Sequence, residues 1–184
     1  MKRADVLKIN VMCYWRLHRD CPIVALEHDW GASDVLAVTK HGEVIDTEVK
    51  CTLHDLKRDK DKTKHLAMVR DTDFTLGRSA LMPYIPSAIR THYFYFAVPQ
   101  EMKTKALQVI EDMYPYAGLL VVRPNDFYQW DNYHHIVAPV SAVRRARRFT
   151  KPKITESEQM DIVRGLSVTA CQIAFELLAR DRKV

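Results

Sequence analysis

Glycine is scarce in this chain, five residues in 184, and none of them builds the Gly-rich loop of a phosphate cradle or a dinucleotide fingerprint. No Ser/His/Asp spacing points to a nucleophilic triad either. The four cysteines, Cys13, Cys21, Cys51 and Cys171, are scattered without a Cys-x-x-Cys pair. That argues against both a disulfide framework and a zinc knuckle, and leaves buried free thiols as the expectation. No apolar run of about 18 residues occurs. The opening MKRADVLKINVMCYWRLHRDC also lacks the continuous apolar segment of a signal peptide. The expected protein is soluble and cytoplasmic.

What is present is enough for one domain spanning 1–184, with a core over about 5–148 and a C-terminal helix over about 156–180. At 184 residues and 47% hydrophobic composition, such a chain buries roughly 70% of its unfolded surface. The formal charge is +5, and it is unevenly distributed. Arg144, Arg145, Arg147, Arg148, Lys151 and Lys153 lie within ten residues, and without them the balance falls to −1. Such a cluster is either a phosphate-contacting stripe or a solvated strand exit.

The stretch Ser33–Cys51, SDVLAVTKHGEVIDTEVKC, is the most informative. Two runs of strand composition, Asp34–Thr39 and Val44–Lys50, flank Lys40-His41-Gly42, and Gly42 can take the left-handed conformation that closes a short hairpin loop. A three-residue loop closed by Gly42 pairs Thr39 with Glu43 and, counting back, Asp34 with Glu48. Directly opposed side chains share a face, and Lys50, two residues beyond Glu48, shares it as well. A two-residue loop would instead pair Asp34 with Val49 and send the carboxylates to opposite faces. Two carboxylates gathered in a half-buried sheet repel, and a divalent cation between them relieves that repulsion. Metal binding is the economical reading.

This hairpin resembles the PD-(D/E)xK nuclease superfamily, in which an Asp near the start of one strand and a Glu-x-Lys on the next form the site. The match is Asp34, then Glu48-Val49-Lys50. An acidic residue two positions before Lys also occurs at Asp55/Lys57, Glu101/Lys103 and Asp181/Lys183, but only the Glu48 copy follows a strand that begins with Asp. The superfamily's Pro before the Asp is Ser33 here. The order of DVLAVTKHGEVIDTEVK, HYFYFAVP, AGLLVVRP and HHIVAPVSAVRRARR is similar to that in small bacterial DNA-repair proteins called MmcB-like, with longer segments here at 71–91 and 125–133. The resemblance implies an α/β fold with a restriction-endonuclease-like core, a mixed central β-sheet flanked by α-helices. It implies a divalent-metal-dependent nuclease that hydrolyses phosphodiester bonds, DNA being the expected substrate and repair or processing the expected role. A non-cleaving nucleic-acid-binding or partner-binding protein on the same fold is the alternative. On this resemblance Asp34, Glu48 and Lys50 are catalytic, and Asp34, Glu48 and the Val49 carbonyl hold Mg²⁺ or Mn²⁺. Glu27 is a further candidate ligand, because some members recruit an additional upstream carboxylate.

The rest of the chain reads as alternating helices and strands. Residues 5–18 predict a helix capped by Asp5, with Val6, Ile9, Cys13 and Leu17 as its apolar row. Ile23–His28 is a first strand. Thr52-Leu53-His54-Asp55 opens a helix with a capping signal, and Leu53, Leu56, Leu66 and Val69 supply its apolar positions. Lys57, Lys60 and Lys64 fall at helical spacing within its polar middle, as a solvated face or as contacts to a nucleic-acid backbone. Residues 71–91 read as a long loop or broken helix. Ile89–Val98 predicts a central strand buried on both faces. Pro99 leads into a helix over 100–113 with Met102, Ala106, Val109, Ile110 and Met113 facing the core, and Gly118–Val122 is the next strand. His134 and His135 are adjacent, so in a strand they point apart and chelate poorly. The final helix carries Met160, Val163, Leu166, Ala170, Ile173 and Leu177 as a core-facing stripe, with a homodimer face as the alternative.

Overall fold

The computed structural model describes residues 2–28, 33–62, 64–65, 90–123, 129–130, 136–137 and 139–167. Helix α1 spans Arg3–Cys13 and continues as a π-helical turn over Tyr14–His18. Lys2 rather than Asp5 is the N-cap, and Asp5 accepts from the Lys2 amide at 3.1 Å. The buried row is Leu7, Val11, Tyr14 and Trp15, which corrects the expected row. Val6, Ile9 and Cys13 are only half-buried and Leu17 is 43% exposed. The two large aromatics outweigh smaller apolar groups in setting which face turns inward.

Three antiparallel strands follow: β1 (Ile23–His28), β2 (Ser33–Val38) and β3 (Val44–Val49). Thr52 caps the short helix α2 (Leu53–Arg58), its hydroxyl accepting from the Asp55 amide at 3.1 Å. A 3-10 turn over Asp59–Asp61 then tightens the chain. Next come β4 (Thr91–Pro99), α3 (Lys103–Met113) and β5 (Gly118–Val122). A small ribbon of β6 (Gln129–Trp130) with β7 (Ile136–Val137) precedes β8 (Val140–Arg144). Residues 156–167 form α4. The expected extension of this helix to 180, the 71–91 segment apart from Arg90 and Thr91, and the His134-His135 pair lie outside the described residues.

The main sheet has six strands in the order β1-β2-β3-β4-β5-β8. The β3–β4 and β4–β5 pairs are parallel and the others antiparallel. Strand alternation divides its side chains between two faces. Val35, Ala37, Ile45, Val49, Ala97 and Leu120 pack beneath α1, around Leu7, Val11 and Trp15. On the other face, Phe94, Phe96, Val98, Leu119 and Val121 meet Ala106 and Ile110 of α3 and Leu56 of α2. Also on that face, Leu36, Val38 and Val44 pack against Ile154 and Ile162. The helical stripe of 100–113 is core, as its spacing predicts. In α4 the inward positions are Ile162 and partly buried Leu166, whereas Met160 and Val163 are 51% and 38% exposed. The inner face of α4 is thus rotated from the expected stripe.

Between those two apolar clusters, Asp46 and Glu48 project from the middle of β3. Both are buried, at 0% and 2% exposure. They form a polar seam through an otherwise hydrophobic layer, and everything that α2 and its continuation contribute to the site converges on it.

Candidate functional site

Gly42 has φ +74°, the left-handed value that a bulge-closed loop demands and that a Cβ would oppose. The Thr39 amide donates to Glu43 O and the Gly42 amide to Thr39 O, both at 2.9 Å. The ladder then runs Val38↔Val44, Ala37↔Ile45, Leu36↔Asp46 and Val35↔Thr47. One further step sets Asp34 opposite Glu48. The three-residue loop expected from sequence is therefore the one formed, and it places both carboxylates at the same level of adjacent strands.

Each carboxylate has its own partners. Asp34 Oδ2 accepts from the Val49 amide at 2.8 Å, taking the place of a main-chain acceptor where β2 begins. Asp34 Oδ1 lies 2.8 Å from Lys8 Nζ, and the same ammonium is 2.7 Å from Glu27 Oε1. Glu27 has φ +47° and is skipped in the β1–β2 ladder, which passes from Leu26↔Val35 to His28↔Ser33. The register is unbroken there, so Glu27 stands opposite Asp34 and meets the same lysine, although its side chain remains 69% exposed. Burial lowers the Lys8 pKa, but Asp34 and Glu27 outweigh that and hold it well above the usual lysine value.

Glu48 is held by three lysines. Its Oε2 lies 2.7 Å from Lys50 Nζ and 2.8 Å from Lys62 Nζ, and its Oε1 contacts Lys64 Nζ. Burial pushes the Glu48 carboxyl up, but Lys64, Lys50 and Lys62 overcome it and hold the group down at about 2. Asp59 is the second hub. Its Oδ1 lies 2.5 Å from Lys50 and 2.9 Å from Lys62, and its Oδ2 is 2.7 Å from His65 Nε2. The other His65 nitrogen, Nδ1, is 2.7 Å from the Tyr116 hydroxyl. Burial raises the Asp59 carboxyl, but the bonds from His65, Lys50 and Lys62 bring it well below the carboxylate range.

Asp46 completes the seam. Its Oδ2 is 3.4 Å from Lys64 Nζ. Its Oδ1 and the nearby Ser33 hydroxyl are buried without a well-formed hydrogen bond among the described residues. Burial raises its pKa; Lys64 and the Ser33 hydroxyl oppose the rise and Glu48 adds to it. Three carboxylates and three ammonium groups thus balance in one layer, the arrangement by which buried charge is tolerated.

An open cleft of about 440 Å³ reaches this network, lined by Val49, Lys50, Asp55, Arg58, Asp59, Asp61 and Lys62. Among the described residues no three acidic, histidine or cysteine groups converge as a ready-made metal cage. The donor chemistry nevertheless suits a hard divalent ion. Register sets Asp34 and Glu48 at one level of β2 and β3 beside the Val49 backbone. Each has separate ion pairs, Lys8 for Asp34 and Lys50, Lys62 and Lys64 for Glu48, and Asp46 contributes an orphaned oxygen near Glu48. Ammonium groups already stand against these oxygens, showing that the pocket attracts positive charge. Of the two lysines lining the cleft, the Lys62 side chain is 46% exposed and that of Lys50 9%.

Of the lysines expected to meet nucleic acid, Lys57 and Lys60 are exposed. Lys64 is not: it is 3% exposed and turned onto Asp46 and Glu48. The uniform helix assumed for the three breaks at Arg58, and the 3-10 turn redirects the chain beyond it. In the basic cluster, Arg144 donates to Pro115 O at 2.8 Å, and Arg148 pairs with Glu43 at 2.8 Å, while Arg145 and Arg147 are exposed. Register carries Glu48 through Phe96 and Leu119 to Arg144, three strand spacings or about 14 Å. Arg148 lies at the opposite end of β3, about 17 Å along the strand from Glu48. The cluster therefore starts level with the site and leads away from it.

Asp59, Lys62 and His65 were not identified from sequence as members of the site. They sit in a run of alternating charge that reads as a solvated face, and the only local sign of inward packing is Leu56 just before them.

No protein-family model matches the chain, and no curated protein matches it. Among solved structures, it is similar to a protein of unknown function from Silicibacter pomeroyi, with a TM-score of 0.55 and 15% identity over 95% of this chain and 90% of that one. At that identity the likeness concerns the fold: a mixed six-stranded sheet flanked by helices.

Proposed function

We propose that this chain is a divalent-metal-dependent nuclease with a restriction-endonuclease-like core, acting on phosphodiester bonds of nucleic acid, DNA first among them. The observation that carries the reading is the β2–β3 register, which sets Asp34 opposite Glu48, with Lys50 paired to Glu48 and lining an open cleft. The resemblance to the PD-(D/E)xK superfamily rests on those same three residues. Asp34, Glu48 and the Val49 carbonyl would hold Mg²⁺ or Mn²⁺, with Glu27 as an outer carboxylate. A metal held there acidifies a water and neutralises charge that develops on the phosphate.

The remaining roles belong to the chain itself. Lys50, held between Glu48 at 2.7 Å and Asp59 at 2.5 Å, has its ammonium fixed at the mouth of the cleft. There it orients the attacking water or offsets phosphate charge. Arg58 and Lys62 on the cleft wall, with exposed Lys57 and Lys60 on the adjoining turn, supply positive charge for the nucleic-acid backbone. Arg145 and Arg147 add a more distant contact. A role in DNA repair or processing, in the cytoplasm, is part of the same proposal. Among the described residues no helix is long and apolar enough to cross a membrane.

A second reading draws on the charge balance. With all three lysines on Glu48, the network is neutral without an ion, which suits a nucleic-acid-binding protein that does not cut. Incubating labelled single- and double-stranded DNA and RNA with Mg²⁺, Mn²⁺ or EDTA separates the two. The nuclease cleaves at least one substrate with metal and none with EDTA. Salt-sensitive binding without cleavage in any metal establishes the second reading.

A further inference from the structure

Lys62 differs from the other two lysines on Glu48 in ways that bear on how a cation enters. Lys50 and Lys64 are 8% and 3% exposed: Lys50 reaches the cleft mouth and shares Glu48 Oε2, whereas Lys64 is enclosed behind it on Oε1. Lys62 is 46% exposed, and it reaches Glu48 Oε2 from the cleft wall. It is also moored a second time, to Asp59 Oδ1 at 2.9 Å, three residues back on its own turn. Releasing Glu48 therefore does not free Lys62 into solvent. Its ammonium keeps one carboxylate partner while it gives up the other. We infer that Lys62 is an exchangeable internal cation. It occupies Glu48 in the metal-free chain and yields its place on Oε2, beside Lys50, to an incoming divalent ion, while Asp59 retains it at the cleft edge.

The inference rests on the metal-dependent reading and adds to it two residues, Lys62 and Asp59, that the Asp34/Glu48/Lys50 pattern does not contain. Electrostatics set the direction of the effect. An ammonium competing for the same oxygen raises the apparent dissociation constant of the metal, both by occupying a lone pair and by like-charge repulsion. Partial exposure limits the size, because solvent screens Lys62 more than its buried neighbours. Removing the competing charge should then tighten binding roughly twofold to fivefold.

The test is direct titration of Mn²⁺ followed by the paramagnetic resonance signal of the free ion, with no nucleic acid present. Wild type, Lys62→Met, Lys62→Gln, Glu48→Gln and the double variant Lys62→Met/Glu48→Gln are compared after thermal melting confirms that each is folded. The expected result is tighter Mn²⁺ binding in both Lys62 variants, with the gain lost when Glu48 is also replaced. Binding by the Lys62 variants where wild type shows none supports the same conclusion. Glu48-dependent binding in wild type that is unchanged or weaker in both Lys62 variants overturns the exchange and leaves the nuclease reading standing. Absence of Glu48-dependent Mn²⁺ binding in every variant overturns both.

Discussion

Replacing Glu48 by Gln changes almost no volume and removes one charge from the centre of the seam. At 2% exposure Glu48 exchanges little with water, and Lys64 behind it is 3% exposed. In the variant Lys64 keeps Asp46, at 3.4 Å, as its one carboxylate partner, and a neutral amide stands among the three ammonium groups in place of a carboxylate. Breaking a buried ion pair by removing one partner costs about 3–5 kcal/mol. That is a large share of the roughly 5–15 kcal/mol that holds a domain together. With about 2–4 °C lost per kcal/mol at this chain length, melting should fall by roughly 6–20 °C. Urea unfolding at neutral pH followed by tryptophan fluorescence measures the change. Lys64→Met removes the other partner, and Asp46, already raised in pKa by burial, relieves part of the imbalance by taking up a proton. The double variant should be more stable than the sum of the single losses predicts, by about 1–3 kcal/mol. A Glu48→Gln protein within about 1 kcal/mol of wild type, below the range for a broken buried pair, or strictly additive single losses, would refute the view that these charges stabilise one another.

Other consequences arise from the same geometry. Because Glu48 is held at about 2, below its ordinary 4.5, its stabilisation is complete above pH 4.5 and declines as the pH falls towards 2. Asp59 acts in the same direction, and Asp46, with a raised pKa, in the opposite one. The urea midpoint should drop below pH 4.5 in wild type and drop less in Glu48→Gln; equal acid sensitivity in the two proteins would count against the assignment. Gly118 lies beneath the Tyr95 ring, where an added Cβ would sit 2.3 Å from a ring carbon and 2.7 Å from the Ala146 backbone nitrogen. Gly118→Ala should therefore cost about 1–3 kcal/mol or more in urea unfolding, and a neutral result would contradict the β4–β5 packing. Replacing Arg145 and Arg147 together by Ala should leave stability unchanged and flatten the dependence of log affinity for duplex DNA on log salt by nearly two, at about 0.9 per lost phosphate contact. An unaltered slope in fluorescence anisotropy removes both residues from the interface.

How far the sequence foretold this arrangement depends on the kind of signal each part carries. The hairpin was legible because Gly42 and the flanking β-branched runs specify both the loop and its register, and register alone determines which side chains meet. The strand at 91–99 was legible as a continuous aromatic and apolar run, read from sequence as Ile89–Val98, and the stripe from Met102 to Ile110 because one helical period explains it. Helix α1 was misphased because apolar residues surround it on several sides, and packing of Tyr14 and Trp15 settles its orientation. The run from Lys57 to His65 was the least legible. Charge alternation says that groups are ionised, but it does not say whether their partner is water or a buried carboxylate. Once the helix gives way at Asp59 to a tighter turn, Asp59, Lys64 and His65 turn inward and Lys57 and Lys60 stay out. That choice depends on Asp46 and Glu48, which are distant in sequence and visible only once β3 is placed.

The central claim is that Asp34, Glu48 and Lys50 act as one phosphodiester-cleaving unit. Its most direct test compares wild type with Asp34→Asn and Lys50→Ala on whichever nucleic acid wild type cuts best, with Mg²⁺ and Mn²⁺ and after confirming cooperative melting of each protein. The account predicts metal-dependent cleavage by wild type and a loss of about 100-fold or more in each variant, as expected for groups that act together. Cleavage that survives both substitutions, or a wild-type protein that cuts no substrate with either metal, would contradict it.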